Sequence, residues 1–148
     1  MALKGKRFEL TASVDGDGEM RAEGQAPLTT TEPWNSDHLV LAALARCSLS
    51  SLRFHAERAG LRMSGSGTAE GTVARRDEDG RYALVEVAVA LDVRLDPAPD
   101  EAGLADLLAM AERDCFVGAS LRAQPRYAWT VNGVRSAGAA GTAAERIA

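Results

Sequence analysis

The sequence is poor in residues that mark several large classes of protein. Its 148 residues include two cysteines and two histidines, far fewer than a disulfide scaffold needs, and it has no Cys-x-x-Cys pair typical of a metal site. No run approaches the roughly 18 uninterrupted apolar residues of a membrane span. The opening residues also lack the apolar region of a signal peptide. We therefore expect a cytoplasmic protein without a membrane partner, a metal or another bound cofactor.

An excess of positive charge is also missing. The formal net charge is −4, the isoelectric point is near 5.2, and the basic residues are scattered, which disfavours a nucleic-acid partner. The length suits one domain, and the 46% hydrophobic content is enough for a core. We predict a single domain over residues 1–135 and a disordered Ala/Gly-rich tail over residues 136–148.

Alternation and turn residues predict a hairpin followed by a long helix. Residues 7–14 alternate as a strand, a turn follows at Asp15-Gly16-Asp17-Gly18, and residues 19–23 form the second strand. A loop is predicted over residues 27–33. Asn35 or Ser36 can then cap a helix, whose apolar and small residues recur three or four apart until Gly60.

The second half of the chain predicts two strands, a helix and a last strand. Residues 61–75 and 82–95 form the strand pair, with alternation clearest from Val85 to Leu95. A second helix begins at Asp100 and leads to Cys115, and residues 127–131 alternate as a closing strand. The order of elements indicates an α+β fold.

The two cysteines are the residues best suited to chemistry. Cys47 lies in the small-residue stripe of the first helix, and Cys115 lies late in the second helix or at a break within it. Packing of the two helices can bring the sulfurs together, although the sequence alone does not establish that they meet. A thiolate can reduce a peroxide and become a sulfenic acid, which a second thiol converts to a disulfide. Free cysteines are also among the most buried residues, so two inert core thiols remain an open alternative.

Both cysteines lie in segments that resemble those of a known family. Residues 35–47 run Asn-Ser-Asp-His-Leu, then an Ala-rich stretch, then Cys47, similar to the OsmC/Ohr pattern Asn-Pro-Glu-x-Leu, Ala-rich run, Cys. Residues 111–115, Ala-Glu-Arg-Asp-Cys, resemble the family's second site, Ala-Glu-x-x-Cys. The resemblance extends from about Phe8 to Gly133.

The resemblance implies a fold and an activity. Members have antiparallel sheets packed around two central helices, in an intertwined homodimer whose active sites form between subunits. They reduce organic hydroperoxides, and an external dithiol restores them. By position, Cys47 would be the peroxidatic thiol and Cys115 the resolving thiol. The alternative is an OsmC-like dimer that binds a small ligand or serves a structural role without catalysis.

Asp37 takes the position of a family glutamate that holds an arginine, and that arginine favours the thiolate. The resemblance therefore makes Asp37 a third candidate site residue. An acid in the first turn can also serve only to stabilise the helix, through its favourable interaction with the helix dipole. Members of the Ohr type carry the arginine near the first hairpin turn, where residues 14–19 offer only acids. Phe116 also stands where many members have proline.

Overall fold

A computed structural model describes residues 5–29 and 34–136 of the chain. These residues belong to two compact units, Met1–Asn35 and Ser36–Ala148. In chain order the elements are β1 (Ala12–Val14), β2 (Met20–Ala22), α1 (Ser36–Arg58), β3 (Arg62–Arg75), β4 (Tyr82–Asp96), α2 (Glu101–Asp114), α3 (Phe116–Ser120), β5 (Arg126–Val131) and β6 (Val134–Ser136). No helix in this part of the chain is long and apolar enough to cross a membrane.

The first unit contains the predicted hairpin in a shortened form. Strands β1 and β2 pair antiparallel over three residues each, so the predicted strand over residues 7–14 forms only at its end. The Asp15 carboxylate accepts hydrogen bonds from the backbone N–H groups of Asp17 and Glu19, which stabilises the turn. Of the predicted loop over residues 27–33, residues 30–33 lie outside the described residues.

Helix α1 has the predicted extent and a well-defined end. Gly60 adopts φ +77, a left-handed conformation that favours glycine. The N–H of Leu61 donates to the carbonyl of Ala56, and the N–H of Gly60 donates to that of Glu57, as in a Schellman motif. The chain therefore reverses directly into β3.

Strands β3 to β6 form one four-stranded sheet, in the order β3-β4-β5-β6. From Val87 to Leu95 every second residue of β4 is buried, as the alternation predicts, whereas Val85, where the predicted alternation begins, is exposed. The core that β4 shares with the helices and β5 includes Leu44, Leu52, Val87, Val89, Leu91, Val93, Leu95, Leu107, Leu108, Trp129 and Val131. Opposite them, β3 carries glycines: a Cβ at Gly67 would lie 2.7 Å from Leu91 Cδ2, and one at Gly71 would lie 3.1 Å from Leu41 Cδ2 on α1. These glycines let the long helix approach the sheet closely.

The sheet is mixed, and this modifies the prediction of antiparallel sheets. The pairs β1–β2, β3–β4 and β5–β6 are antiparallel, whereas β4 and β5 are parallel. Parallel neighbours need a long crossover, and here it consists of α2 and α3. Asp100 caps α2 by accepting a hydrogen bond from the Gly103 N–H at 2.7 Å. The crossover therefore carries the second cysteine across the sheet.

The α+β fold is confirmed, while the domain limits remain a prediction. Apart from Ser136, which ends β6, the tail predicted over residues 136–148 lies outside the described residues. The intertwined homodimer remains a prediction as well.

Candidate active site

The first cysteine is held by the middle of α1. Cys47 is partly exposed and packs against the edge of the core, while its neighbours on the buried stripe, Leu44 and Ser48, point into it. The backbone N–H groups of Phe116 and Val117 interact with Cys47, which places it where α1 meets the beginning of α3. Its thiol can thus face both a neighbouring side chain and the surface.

The second cysteine lies between two helices. Helix α2 ends at Asp114 and α3 begins at Phe116, because Cys115 has an extended backbone with φ −71 and ψ 95. The Cys115 side chain is 0% exposed. The thiols of the two free cysteines lie near enough to influence each other's protonation, so the structure brings together thiols that the sequence placed 68 positions apart.

The surroundings of Cys47 oppose and favour its thiolate at once. Burial is the largest influence and raises the pKa of the Cys47 thiol above its usual range, and the Cys115 thiol adds to that increase. The backbone N–H groups of Val117 and Phe116 act in the opposite direction and lower the pKa. Burial prevails, so Cys47 is mostly protonated at neutral pH in this geometry.

Two hydroxyl groups surround the sulfur of Cys115. The Ser48 Oγ lies 3.6 Å from Cys115 Sγ and donates a hydrogen bond to the Leu44 carbonyl at 2.8 Å. The Tyr127 hydroxyl interacts with both Cys115 and Ser48. Burial, with a smaller contribution from Cys115, raises the pKa of Tyr127 well above its ordinary value, so the phenol stays protonated.

Sequence reasoning did not identify Ser48, Tyr127 or Gly118 as part of this site. Gly118 makes room for the tyrosine, because a Cβ there would lie 2.7 Å from Tyr127 Oη. The alternation of β5 correctly predicts a buried residue 127, but it does not show which thiol the hydroxyl meets. The position of Ser48 on the same stripe as Cys47 was the available signal.

A polar contact holds the end of α2 against α1. The His55 Nε2 lies 2.8 Å from Asp114 Oδ2, and the Ser51 Oγ donates to the Ala111 carbonyl at 2.8 Å. Arg113 and, to a smaller degree, His55 lower the pKa of Asp114 from its ordinary 3.8 to about 2. This contact fixes the residue directly before Cys115.

Asp37 is not brought to the thiols within the chain. It is exposed in the first turn of α1, where its carboxylate accepts a hydrogen bond from Ser36 Oγ at 3.5 Å. Ten residues of helix separate it from Cys47, about 15 Å along the axis. In the part of the chain that the structure describes, Asp37 has no ion pair with an arginine, and no arginine acts on Cys47. Its site role remains a prediction.

The arginines near the first hairpin and near Cys47 in sequence either form ion pairs with other residues or lie on another side of α1. In the first unit, Arg7 pairs with Glu9 and Arg21 pairs with Glu19. Arg46 is exposed on α1, next to Cys47 in sequence but on a different side of the helix. Residues 5–29 and 34–136 contain no group of three His, Cys, Asp or Glu side chains that could hold a metal ion. The site therefore consists of thiols, hydroxyls and backbone N–H groups.

Comparisons with known proteins agree on one family. The family model described as "OsmC-like protein" matches residues 29–130. No curated protein sequence matches significantly. Among solved structures, an OsmC-like protein from Mycoplasma pneumoniae is 16% identical with TM-score 0.62, and the match covers 87% of this chain and 98% of that one.

Two further solved structures have the same fold. An OsmC-like protein from Vibrio cholerae is 13% identical with TM-score 0.67, covering 84% of this chain and 99% of that one. The organic hydroperoxide resistance protein of Bacillus subtilis is 15% identical with TM-score 0.54, covering 84% of this chain and 98% of that one. The matched range includes both cysteines and every element from α1 to β5 apart from the last residue of that strand. The chain belongs to the OsmC-like protein family.

Proposed function

We propose that this protein reduces organic hydroperoxides with Cys47 as the peroxidatic thiol and Cys115 as the resolving thiol. The observation that carries the proposal is the contact between a partly exposed Cys47 and a fully buried Cys115. The exposed member of such a pair can meet a substrate, while the buried member can meet only its partner. Family membership supports a redox role, and one structural neighbour is named an organic hydroperoxide resistance protein.

The reaction uses two thiols and one hydroperoxide. The Cys47 thiolate attacks the outer peroxide oxygen, the O–O bond breaks, and the alkoxide takes a proton and leaves as an alcohol. Cys47 becomes a sulfenic acid. The Cys115 sulfur then attacks the Cys47 sulfur, an S–S bond forms, and the hydroxyl group leaves as water. An external dithiol reduces the disulfide by exchange and becomes a disulfide itself.

The first step depends on the small thiolate fraction of Cys47. The N–H groups of Phe116 and Val117 favour that thiolate, and burial opposes it. We expect the oxidation rate to rise as pH increases above neutrality, because the thiolate fraction grows until the pH passes the raised pKa. Asp37 stays a proposed site residue on the strength of the family resemblance, in which it would hold an arginine beside the thiol.

We also propose a homodimer that works in the cytoplasm, where the thioredoxin system keeps thiols reduced and an external dithiol is available as reductant. The dimer rests on the resemblance to the family. Sedimentation analysis at micromolar concentration tests it: a mass of twice 15.6 kDa supports the dimer, and a single-chain mass contradicts it.

Thiol titration combined with intact-mass analysis tests the mechanism. After one equivalent of an organic hydroperoxide, we expect the wild type to lose both thiols and the mass of two hydrogens. Cys115→Ser should stop at a Cys47 sulfenic acid, one oxygen heavier, and Cys47→Ser should keep its Cys115 thiol. Survival of both thiols in the wild type, or full hydroperoxide consumption by Cys47→Ser, would refute the two-cysteine mechanism.

The second candidate function is non-catalytic small-ligand binding or a structural dimer. It is favoured by the raised pKa of Cys47 and by the lack of an arginine acting on this thiol among the described residues. It predicts a slow hydroperoxide reaction that does not saturate with substrate and yields no Cys47–Cys115 disulfide. Saturable kinetics with disulfide formation would exclude it.

A further inference from the structure

A group of buried hydroxyls surrounds the second cysteine. Cys115 is 0% exposed, Ser48 is 1% exposed and Tyr127 is 6% exposed, so no bulk water reaches the sulfur in the resting fold. A thiol that must lose its proton in such a place needs protein donors to stabilise the charge that develops. The hydroxyls of Ser48 and Tyr127 are the polar side-chain groups that the described structure places at this sulfur.

The hydroxyl groups beside Cys115 can both supply hydrogen bonds to its sulfur. Ser48 Oγ donates to the Leu44 carbonyl and lies 3.6 Å from Cys115 Sγ, where either atom can be the donor. The Tyr127 hydroxyl stays protonated because burial raises its pKa well above the ordinary value, so it has a proton to donate to Cys115 Sγ. When Cys115 loses its proton, Ser48 can rotate to become a second donor to the sulfur.

The fold keeps the Tyr127 hydroxyl in place. The tyrosine ring stacks on Trp129, with ring centroids 6.3 Å apart and an angle of 8° between the planes. Trp129 is anchored in turn, because its Nε1 donates to Glu112 Oε1 at 2.9 Å. Gly118, whose Cβ would collide with Tyr127 Oη at 2.7 Å, leaves the space that the hydroxyl fills. A phenylalanine at residue 127 would pack equally well and would not need that space.

We propose that Tyr127 and Ser48 donate hydrogen bonds to Cys115 Sγ as it attacks oxidised Cys47, and that they thereby accelerate the resolving step. This inference rests on the proposed function, because it requires Cys115 to resolve Cys47. In the step, the new S–S bond replaces the S–O bond of the sulfenic acid. The proton that leaves Cys115 ends on the departing hydroxide, which becomes water. While the sulfur of Cys115 is negatively charged, hydrogen bonds from the two hydroxyls stabilise that charge.

The experiment measures the two oxidation steps separately in the full chain. One equivalent of cumene hydroperoxide is added, and acid quenching with mass spectrometry distinguishes the thiols, the sulfenic acid and the disulfide. We expect Tyr127→Phe to form the sulfenic acid at the wild-type rate but the disulfide about tenfold more slowly, the effect of losing one hydrogen bond to a charged group. Ser48→Ala should likewise form the sulfenic acid at the wild-type rate and the disulfide more slowly.

Matched controls are available on the same elements. Tyr82→Phe changes the other tyrosine of the chain, which is 75% exposed, and Ser50→Ala changes an exposed serine of α1. Both should match the wild type in both steps. Thermal unfolding of each variant shows whether it is folded, and Ser48→Ala provides a second test if Tyr127→Phe proves unstable.

A parallel series with diamide separates the inference from the peroxidase proposal. Diamide adds to the accessible Cys47 thiol, and Cys115 then displaces the hydrazine and forms the same disulfide. If the wild type does not react with hydroperoxide but Tyr127→Phe slows disulfide formation by diamide, the proposed function fails, while the assistance that Tyr127 gives to attack by Cys115 is supported. Wild-type rates of disulfide formation in Tyr127→Phe and Ser48→Ala, or no disulfide with either oxidant, would overturn the inference.

Discussion

At the scale of single residues, Gly118 offers a test of how tightly the second cysteine is enclosed. A Cβ at this position would lie 2.7 Å from Tyr127 Oη and 3.6 Å from Cys115 Sγ. Alanine favours helices over glycine, so without this collision Gly118→Ala would stabilise α3. We expect it instead to lower the free energy of unfolding by about 1–3 kcal/mol, as overpacking does. Urea unfolding at pH 7 measures the change.

Removal of the Tyr127 hydroxyl should relieve this collision. Tyr127→Phe removes the oxygen that the new methyl group meets, so the double variant should recover part of the stability that Gly118→Ala loses. Gly16→Ala is the matched control, because nothing lies within 4 Å of its added Cβ. A Gly118→Ala protein as stable as the wild type would show that the hydroxyl does not fill the space described.

The sequence predicted part of the site at this scale. Helix periodicity and the matched segments singled out both cysteines and allowed them to meet, and the structure brings the two side chains together. The hydroxyls around Cys115 did not follow, since Ser48 and Tyr127 come from elements that meet only in the folded chain. Asp37 shows the opposite case: its segment matches the family, yet its carboxylate lies far along α1 from the thiol.

At the scale of elements, Asp114 and His55 join α2 to α1 directly before the buried cysteine. Arg113, and to a smaller degree His55, lower the pKa of Asp114 to about 2, so its ionised form is favoured in the folded protein. Such a carboxylate stabilises the fold fully above its unfolded pKa, near 4, and the contribution disappears as the pH falls toward 2. The expected acid sensitivity lies in that interval.

Removing the carboxylate should remove that part of the pH dependence. We expect Asp114→Asn to lower the free energy of unfolding at pH 7 by less than about 1 kcal/mol, because its side chain is 40% exposed and solvent screens the contact. Between pH 4 and pH 2 the variant should lose less stability than the wild type. Asp106→Asn, an exposed acid on the same helix, is the control. Equal pH slopes for Asp114→Asn and the wild type would contradict this role of the ion pair.

Most elements were predictable because local signals mark them. Several boundaries can be located within a few residues. Alternation marks β4, Asp100 caps the start of α2, and Gly60 marks the end of α1. The parallel pairing of β4 with β5 was not visible, because no local pattern shows which strand a later one will join. A break at Cys115 was one of the two predicted positions for this cysteine, but no local pattern showed that a separate short helix, α3, follows it.

At the scale of the whole molecule, the position of Cys115 at the break between α2 and α3 implies that stability depends on oxidation state. A Cys47–Cys115 bond would tie α1 to the crossover and close a ring running from residue 47 to residue 115. In the unfolded chain, a ring of that length lowers conformational entropy by the equivalent of about 4 kcal/mol. We expect the oxidised protein to melt at a higher temperature in scanning calorimetry.

Cys115→Ser treated with the same oxidant is the control, because it cannot close the ring. An unchanged or lower melting temperature for the oxidised wild type would mean that strain in the folded state costs at least as much free energy as the bond contributes by restricting the unfolded chain. If the bond does tighten the fold, the resting protein is the looser of its two forms. Oxidation and reduction of the pair would then alternately stiffen and relax the molecule, and its melting temperature would report its redox state without any substrate present.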